Sequence, residues 1–137
     1  MAQAKGSGLV TVFGGSGFVG RYAVRALAKN GWRVRAAVRR PDLAGHLQPM
    51  GAVGQIMPVQ ANLRFPESVQ RAVQGAEAVV TSVGILYNVG EQTFESLHVE
   101  GARSVAKAAR EAGAKRLVHV SALGADAQSS SRYASSK

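Results

Sequence analysis

The sequence predicts an α/β fold in which an open sheet of about five parallel strands is covered by helices. Continuously apolar, β-branched segments typical of buried strands alternate with segments whose apolar residues recur at steps of three and four, as in helices. The connections between them are short, which favours parallel strands joined by right-handed crossovers. The predicted strands are residues 9–13, 32–38, 55–60, 78–83 and 117–120.

The first strand and the first helix are the clearest elements. Residues 9–13 read LVTVF, an apolar run that stops at Gly14, as expected for a strand buried on both faces. From Phe18 the apolar period becomes helical, and it continues until Asn30 and Gly31 supply a stop. The chain therefore opens with a strand, a glycine turn and a helix.

The second and third strands flank the least regular part of the chain. Residues 32–38 read WRVRAAV, and the Arg-Arg-Pro-Asp sequence after Val38 breaks that strand. Residues 44–54 contain three Gly and one Pro, which leaves room for a short helix only. Pro58 indicates an edge position or a strand end for the third strand, because proline cannot donate to the ladder.

The remaining segments complete the alternation. Pro66 suits the first turn of a second helix, and AVVTSV at 78–83 predicts a fourth strand. Helical spacing then continues for about five turns from Phe94 to Gly113. A polar loop at 124–131 follows the fifth strand.

Length and composition limit the class of protein. The 137 residues are 46% apolar and 18% charged, which is typical of one packed domain, expected over 9–137 after a flexible segment at 1–8. The absence of Cys excludes disulfides, Cys-ligated zinc and a thiol nucleophile, and the three His are too scattered to ligate a metal. No stretch resembles a signal peptide, and the uncharged stretch 43–63 is too polar to span a membrane, so a cytoplasmic protein is expected.

The net charge of +9 is concentrated near the beginning of the chain. Residues 1–41 carry eight of the 17 Lys and Arg and none of the 8 Asp and Glu. Nucleic acid, an anionic membrane surface and a phosphorylated ligand are the usual partners of such an excess. Nucleic acid is disfavoured, because Arg21, Arg25 and Lys29 have the spacing of a solvated helix face and aromatic residues for base stacking are few.

The glycine-rich turn between the first strand and the first helix predicts a dinucleotide phosphate site. Gly14 permits a sharp turn, Gly17 lets a phosphate approach the backbone, and Gly20 lets helix and sheet pack closely. Amides at the helix N-terminus would then face the anion. A loop that only needs positive φ is the alternative. The motif favours a Rossmann-type doubly wound sheet with strand order 3-2-1-4-5. The predicted phosphate-binding residues are Gly14, Gly15, Ser16, Gly17, Phe18, Val19 and Gly20.

The end of the second strand predicts which dinucleotide is bound. An acidic residue there would bond the ribose 2′-hydroxyl of NAD, but Arg39 and Arg40 follow the strand instead. A guanidinium can bind the 2′-phosphate of NADP with paired hydrogen bonds. NADP(H) is therefore preferred. NAD(H) stays open, because Asp42 could fold back onto the ribose and both arginines could be solvated.

These residues resemble the extended and atypical branches of the short-chain dehydrogenase/reductase family over nearly the whole chain. The resemblance implies cofactor contacts at Asn62 and Leu63 beside the adenine, where the family usually has Asp in place of Asn62. It implies that Ser82, Val83 and Gly84 line the cofactor. His98 stands where family members often have Asn.

The same resemblance implies catalytic positions at Ser121, Tyr133 and Lys137. Tyr133 and Lys137 are four residues apart and so share a helix face. In an active family member the tyrosine exchanges a proton with the substrate oxygen, the serine hydroxyl holds the carbonyl, and the lysine also binds the nicotinamide ribose. An ordinary surface pair and an ordinary strand-end hydroxyl are the alternatives.

Within this family the chain particularly resembles the NADPH-binding accessory subunit of respiratory complex I (NADH:ubiquinone oxidoreductase) and its bacterial relatives. The resemblance lies in TVFGGSGFVGRYAVRALAKNGWRVRAAVRRPD, VGILYN and HVSALGADAQSSSRYASSK. It implies a cofactor held without turnover, with complex I subunits as partners and a place at the inner face of the cell membrane left open. The alternative is an active NADP-dependent reductase, dehydrogenase or sugar-nucleotide epimerase that uses Ser121, Tyr133 and Lys137.

Family members are commonly more than twice as long as this chain. The substrate-binding lobe is therefore expected to be absent and the domain truncated. An apolar edge beyond the fifth strand is expected to be exposed unless a partner or a second copy covers it. The substrate and the oligomeric state stay open.

Overall fold

The five predicted strands form one parallel sheet. The structure is a computed structural model that describes residues 8–83, 93, 95–122 and 124–137. The strands are β1 Leu9–Phe13, β2 Arg33–Val38, β3 Ile56–Gln60, β4 Ala78–Thr81 and β5 Arg116–His119. Their order is β3-β2-β1-β4-β5 and every neighbouring pair is parallel. The predicted α/β fold and its strand order are confirmed.

Helices and tighter turns connect the strands. The α-helices are α1 Phe18–Lys29, α2 Pro66–Val73, α3 Gly101–Glu111 and α4 Arg132–Ser136. Two 3-10 turns, Pro41–Leu43 and Gly45–Met50, occupy most of the segment between β2 and β3, where a short helix at most was expected. A π-helical turn, Glu95–Glu100, precedes α3, so the helix predicted from Phe94 to Gly113 begins as a wider turn. Phe94 and residues 1–7 lie outside the described residues.

The sheet has an apolar core on each face. Val12, Val24 and Leu47 belong to the cluster that joins the sheet to α1 and the second 3-10 turn. Phe13 and Val105 belong to the cluster that joins it to α2 and α3. Adjacent residues of β1 thus enter opposite cores, which explains why its sequence is apolar without alternation.

The basic residues of β2 include one with a structural contact. Arg35 donates from Nη1 to the carbonyl oxygens of Ala72 and Gln74, at 2.7 and 2.9 Å, at the C-terminal end of α2. The Thr11 hydroxyl donates to the same Ala72 oxygen at 2.7 Å. Burial, with a smaller contribution from Arg33, lowers the pKa of Arg35. Part of the N-terminal charge excess therefore caps a helix, where positive charge is favourable.

Both edges of the sheet have the features predicted for them. Pro58 lies in β3, which among the described residues pairs with β2 alone and is an edge strand. At the opposite edge, Leu117 and Val118 of β5 are 42% and 54% exposed. The expected apolar surface at the fifth strand is present in the described part of the chain.

Candidate functional site

A cavity of about 230 Å³ lies at the carboxyl edge of the sheet. Phe13 is in register with Ala37 and with Thr81, so β1, β2 and β4 end at nearly the same level. The direction in which strands are added reverses between β1 and β4, and parallel α/β sheets bind ligands at such a switch point. The fold alone therefore marks this edge as the candidate site.

Eight of the residues predicted to contact a cofactor line this cavity. They are Gly14, Ser16, Gly17, Arg39, Asn62, Leu63, Ser82 and Val83. Gly15, Phe18, Val19, Gly20 and Arg40 do not line it, and Gly84 lies outside the described residues. Five lining residues were not predicted, namely Phe13, Ala37, Val38, Ala61 and Leu97. All but Leu97 stand at or just after strand ends, a signal that was available in the sequence.

The glycine turn brings α1 against the end of β1. Gly14 has φ +77°, a conformation that favours glycine, and a Cβ there would lie 3.1 Å from Ser82 Oγ. The amide of Gly17 donates to the Gly14 carbonyl at 3.0 Å, which closes the turn. A Cβ on Gly20 would collide with the Gly14 carbonyl oxygen. Glycine is thus required at 14 for the turn and at 20 for the close approach of helix and strand.

The N-terminus of α1 is suited to an anion. Gly17 is its N-cap residue and provides no side-chain cap, and no acidic residue stands in the first turn. The first amides of a helix have no partner within it and carry partial positive charge. A phosphate group would satisfy them, so the residues present fit a dinucleotide phosphate.

The two arginines after β2 differ in their surroundings. Arg39 lines the cavity and, among the described residues, makes no hydrogen bond or ion pair. Arg40 instead forms a two-pronged ion pair with Asp42, at 2.8 and 3.1 Å. The hydrogen bond from Arg40 lowers the pKa of Asp42, which keeps that carboxylate ionised at neutral pH. Only Arg39 of the predicted pair therefore faces the cavity with its guanidinium uncommitted.

Asn62 is held by its own turn. Its Oδ1 accepts from the Arg64 amide at 3.0 Å, and its amide donates to the Ser68 hydroxyl at 2.9 Å. Ser68 is buried and also contacts the Phe65 carbonyl at 2.8 Å. Ser68 was not singled out from the sequence, although a serine in the first helical turn often bonds nearby backbone. The turn fixes the Asn62 side chain on the cavity wall.

Ser82 connects two strand ends. Its hydroxyl donates to the Phe13 carbonyl at 2.9 Å, which joins β4 to β1 next to the glycine turn. The hydroxyl is thus engaged within the protein, and its contribution to the cavity is to hold the wall in place.

The three positions for which the family resemblance implies a catalytic role lie after β5 and on or directly after α4. Lys137 Nζ donates to the carbonyl of Val83 at 3.0 Å, and Val83 lines the cavity. Burial lowers the pKa of Lys137. The Ser121 hydroxyl donates to the Lys137 carbonyl at 3.2 Å, and Tyr133 lies one turn earlier on α4. The structure thus brings Ser121 and Lys137 together and bonds Lys137 to a residue that lines the candidate cavity.

His98, which the sequence presents only as a departure from the family pattern, lies next to α4. It is 3% exposed and lies on the π-helical turn, with its Nδ1 at 2.8 Å from the Ser136 hydroxyl. Its ring contacts that of Tyr133 edge to face, with 5.4 Å between centroids. The helical spacing of the sequence indicates that position 98 follows the inward-facing Leu97, but it does not predict the contact of His98 with α4.

A second groove contains little of the predicted chemistry. It has a volume of about 530 Å³ and lies between α2 and α3. Its charges are of both signs, and Arg103 is paired with Glu100 at 2.9 Å. Only Leu63 among the predicted site residues borders it, so the smaller cavity remains the candidate site.

In residues 8–83, 93, 95–122 and 124–137, no helix has the length and apolar content that crossing a membrane requires. In the same residues, no three His, Asp or Glu side chains come together as a potential metal site.

Comparison with known proteins assigns the chain to a family. Residues 14–136 match the NAD(P)H-binding family. Ceramide reductase of Caulobacter vibrioides is 38% identical over 130 residues, and subunit 9 of the NADH dehydrogenase [ubiquinone] 1 alpha subcomplex of Mus musculus is 38% identical over 134. These matches cover 95% and 96% of this chain but 39% and 35% of those proteins.

A solved structure is similar in fold. Vestitone reductase from alfalfa superposes with a TM-score of 0.70 at 26% identity, covering 86% of this chain and 37% of that one. The chain belongs to the NAD(P)H-binding family, and its cofactor is a nicotinamide dinucleotide.

Proposed function

We propose that this chain binds NADP(H) in preference to NAD(H) and holds it without turnover, as an accessory component of a respiratory NADH dehydrogenase. The observation that carries the proposal is the joint placement of the uncapped α1 N-terminus and the uncommitted Arg39 on one cavity. The similarity to subunit 9 of the mouse NADH dehydrogenase supports the choice of partner. Other subunits of such a complex would be its neighbours, at the inner face of the membrane.

The preference for NADP(H) follows from the charge of its 2′-phosphate. A guanidinium can donate two parallel hydrogen bonds to a phosphate, whereas a ribose hydroxyl offers no charge to Arg39. Arg40 is neutralised by Asp42 and contributes less. In this proposal the phosphate at the end of β2 is recognised by Arg39 alone.

Holding the cofactor without turnover is supported by the internal bonding of the catalytic positions. The Ser121 hydroxyl donates a hydrogen bond to the Lys137 carbonyl, and the Lys137 ammonium donates one to the Val83 carbonyl. Two groups that would otherwise serve a substrate are thus engaged with backbone. In the proposed role they close the cavity wall over a resident dinucleotide.

We expect Arg39→Ala to weaken NADP(H) binding by about 10- to 100-fold, because it removes charge-assisted hydrogen bonds to the phosphate. NAD(H) binding should change by less than about twofold, since that ligand lacks the phosphate. Isothermal titration of both cofactors measures the difference. Arg25→Ala, on the exposed face of α1, is the matched control. Equal affinity for the two cofactors, unchanged by Arg39→Ala, would contradict the proposal.

A second function is favoured by the placement of Lys137 beside Val83. In a reductase, dehydrogenase or sugar-nucleotide epimerase, the bound dinucleotide supplies or accepts a hydride. Lys137 would hold its position through Val83, Tyr133 would give or take the proton of the substrate oxygen, and Ser121 would turn its hydroxyl to that oxygen. The 38% identity to a ceramide reductase is in keeping with this alternative.

Turnover separates the two functions. The accessory role predicts no steady oxidation of NADPH, followed by absorbance, across a panel of small carbonyl compounds. A reductase predicts oxidation that Tyr133→Phe abolishes while cofactor affinity changes by less than about threefold, since the phenolic oxygen acts on the substrate. Steady turnover lost in Tyr133→Phe would overturn the accessory role and establish the second function.

A further inference from the structure

The helix that carries Lys137 is too short to be stable alone. α4 spans five residues, Arg132–Ser136, whereas isolated helices need roughly 12 or more to be even marginal in water. Its position therefore depends on contacts with the rest of the fold. His98, on the π-helical turn, makes two of them, one to the Ser136 hydroxyl and one to the Tyr133 ring.

The hydrogen bonds of Ser136 assign a donor to His98. The Ser136 oxygen lies 3.0 Å from the Tyr133 carbonyl and 2.8 Å from His98 Nδ1. A serine hydroxyl has one hydrogen, and a carbonyl oxygen can only accept. Both contacts are hydrogen bonds only if Ser136 donates to the carbonyl and His98 donates from Nδ1. With both hydrogen bonds formed, the proton of the neutral imidazole lies on Nδ1.

We propose that His98 is a positioning residue for α4, whose Nδ1–H bond to Ser136 and ring contact with Tyr133 hold the Lys137 ammonium at the cofactor cavity. Lys137 directly follows Ser136, and its Nζ reaches the Val83 carbonyl on the cavity wall at 3.0 Å. Without the His98 side chain, the short helix loses two contacts with the π-helical turn. This inference rests on the cofactor site proposed above.

The charges around His98 favour its neutral form. Lys137 and Tyr133 face it from α4, His119 stands at the end of β5, and Asp126 lines the same side of α4. Burial, and then the charges of Lys137 and His119, lower the pKa of His98 below its ordinary value near 6.5. Protonation would add a second cation beside the Lys137 ammonium. The positioning is therefore expected to weaken as the pH falls below that ordinary value.

Binding measurements on matched variants test the positioning role. His98→Phe keeps a ring against Tyr133 but removes the donor, and Ser136→Ala removes the acceptor. Each should weaken NADPH and NADH binding by about fivefold, the effect of one hydrogen bond. The double variant should be no weaker than either single one, because both changes break the same bond. Ser136→Thr should restore affinity, and His46→Gln, at an exposed position, should leave it unchanged.

A pH profile gives a result that a purely structural role would not. The affinity ratio of wild type to His98→Phe should fall as the pH drops below about 6.5, because the protonated ring keeps its Nδ1–H bond but repels the Lys137 ammonium. Ionisation of the 2′-phosphate cancels in this ratio. The His98 ring signal in NMR should titrate below about 6.5, and Lys137→Met should raise that midpoint by removing the nearby charge.

Unchanged affinity in both His98→Phe and Ser136→Ala would overturn the proposal, as would a ratio that does not vary with pH. So would weakening by Ser136→Ala that Ser136→Thr does not restore. Failure of the proposed NADP preference looks different, because it appears only in Arg39→Ala and in NADP(H). His98→Phe should weaken the binding of both dinucleotides by the same factor. Lys137 bonds to Val83, whereas the residue proposed to bind the 2′-phosphate is Arg39.

Discussion

Gly20→Ala is expected to destabilise the domain by about 3 kcal/mol or more and to abolish cofactor binding. The added Cβ would collide with the Gly14 carbonyl oxygen, and it would lie 2.8 Å from the Gly14 carbonyl carbon and 3.0 Å from Gly15 Cα. These atoms are backbone atoms of a closed turn, so no side-chain rotation relieves the contact. The start of α1 must move away from β1, and its amides then leave the cavity.

Gly45 provides a control for the loss of stability expected in Gly20→Ala, because a side chain at position 45 would meet no neighbouring atom. A Cβ on Gly45 would have no heavy atom within 4 Å, and Gly45 does not have positive φ. Gly45→Ala should therefore leave the free energy of unfolding within about 0.5 kcal/mol or raise it slightly. Denaturant unfolding of both variants, followed by NADPH titration, makes the comparison. Equal stability of the two variants would show that α1 does not pack against the turn as described.

The sheet could be predicted because its local and long-range signals agree. The strand runs are continuously apolar, the helices keep a period of three to four, and glycines separate them, so pattern and topology point to one fold. The ends of elements were less certain. β4 stops at Thr81, two residues before the predicted strand ends, and the Ser82 hydroxyl then donates to the Phe13 carbonyl.

The π-helical turn at Glu95–Glu100 could not be predicted from spacing alone. Periods of three and four are common to α-helices and to slightly widened turns, so the run up to Gly113 looked uniform. A Cβ on Gly101 would lie 2.8 Å from Leu63 Cδ1, which shows how closely α3 approaches the cavity wall there. Gly101 and Leu63 are far apart in sequence, so no local sequence pattern predicts this contact.

The glycine turn of the candidate site could be predicted from the sequence, because local backbone geometry determines it. The contacts that individual side chains make there could not. The glycine turn follows from steric rules that act within a few residues. Arg39 and Arg40 look equivalent in sequence, yet Arg40 is paired with Asp42 while Arg39 lines the cavity. The partner of His98 stands 38 residues later in the chain, so only the fold identifies Ser136.

The segment between β2 and β3 shows the same limit for the core. The sequence predicts that residues 44–54 are irregular with a short helix at most, and the structure forms one 3-10 turn there, Gly45–Met50. Leu43 and Leu47 are alike in sequence context, but Leu43 is 65% exposed and Leu47 is fully buried. Leu47 packs in the same cluster as Val38, the last residue of β2.

Leu47→Ala is therefore expected to destabilise the domain by about 2 to 5 kcal/mol, a large part of the stability of a typical domain. Leu43→Ala, four residues away, should cost less than about 0.5 kcal/mol because its side chain is already in water. Denaturant midpoints of the two variants measure the contrast. Because Val38 precedes Arg39, loosening this cluster should also weaken NADP(H) more than NAD(H). Similar midpoints for both variants would mean that Leu47 does not stabilise the core. The position of Arg39 would then depend only on the pairing of β2 with its neighbouring strands.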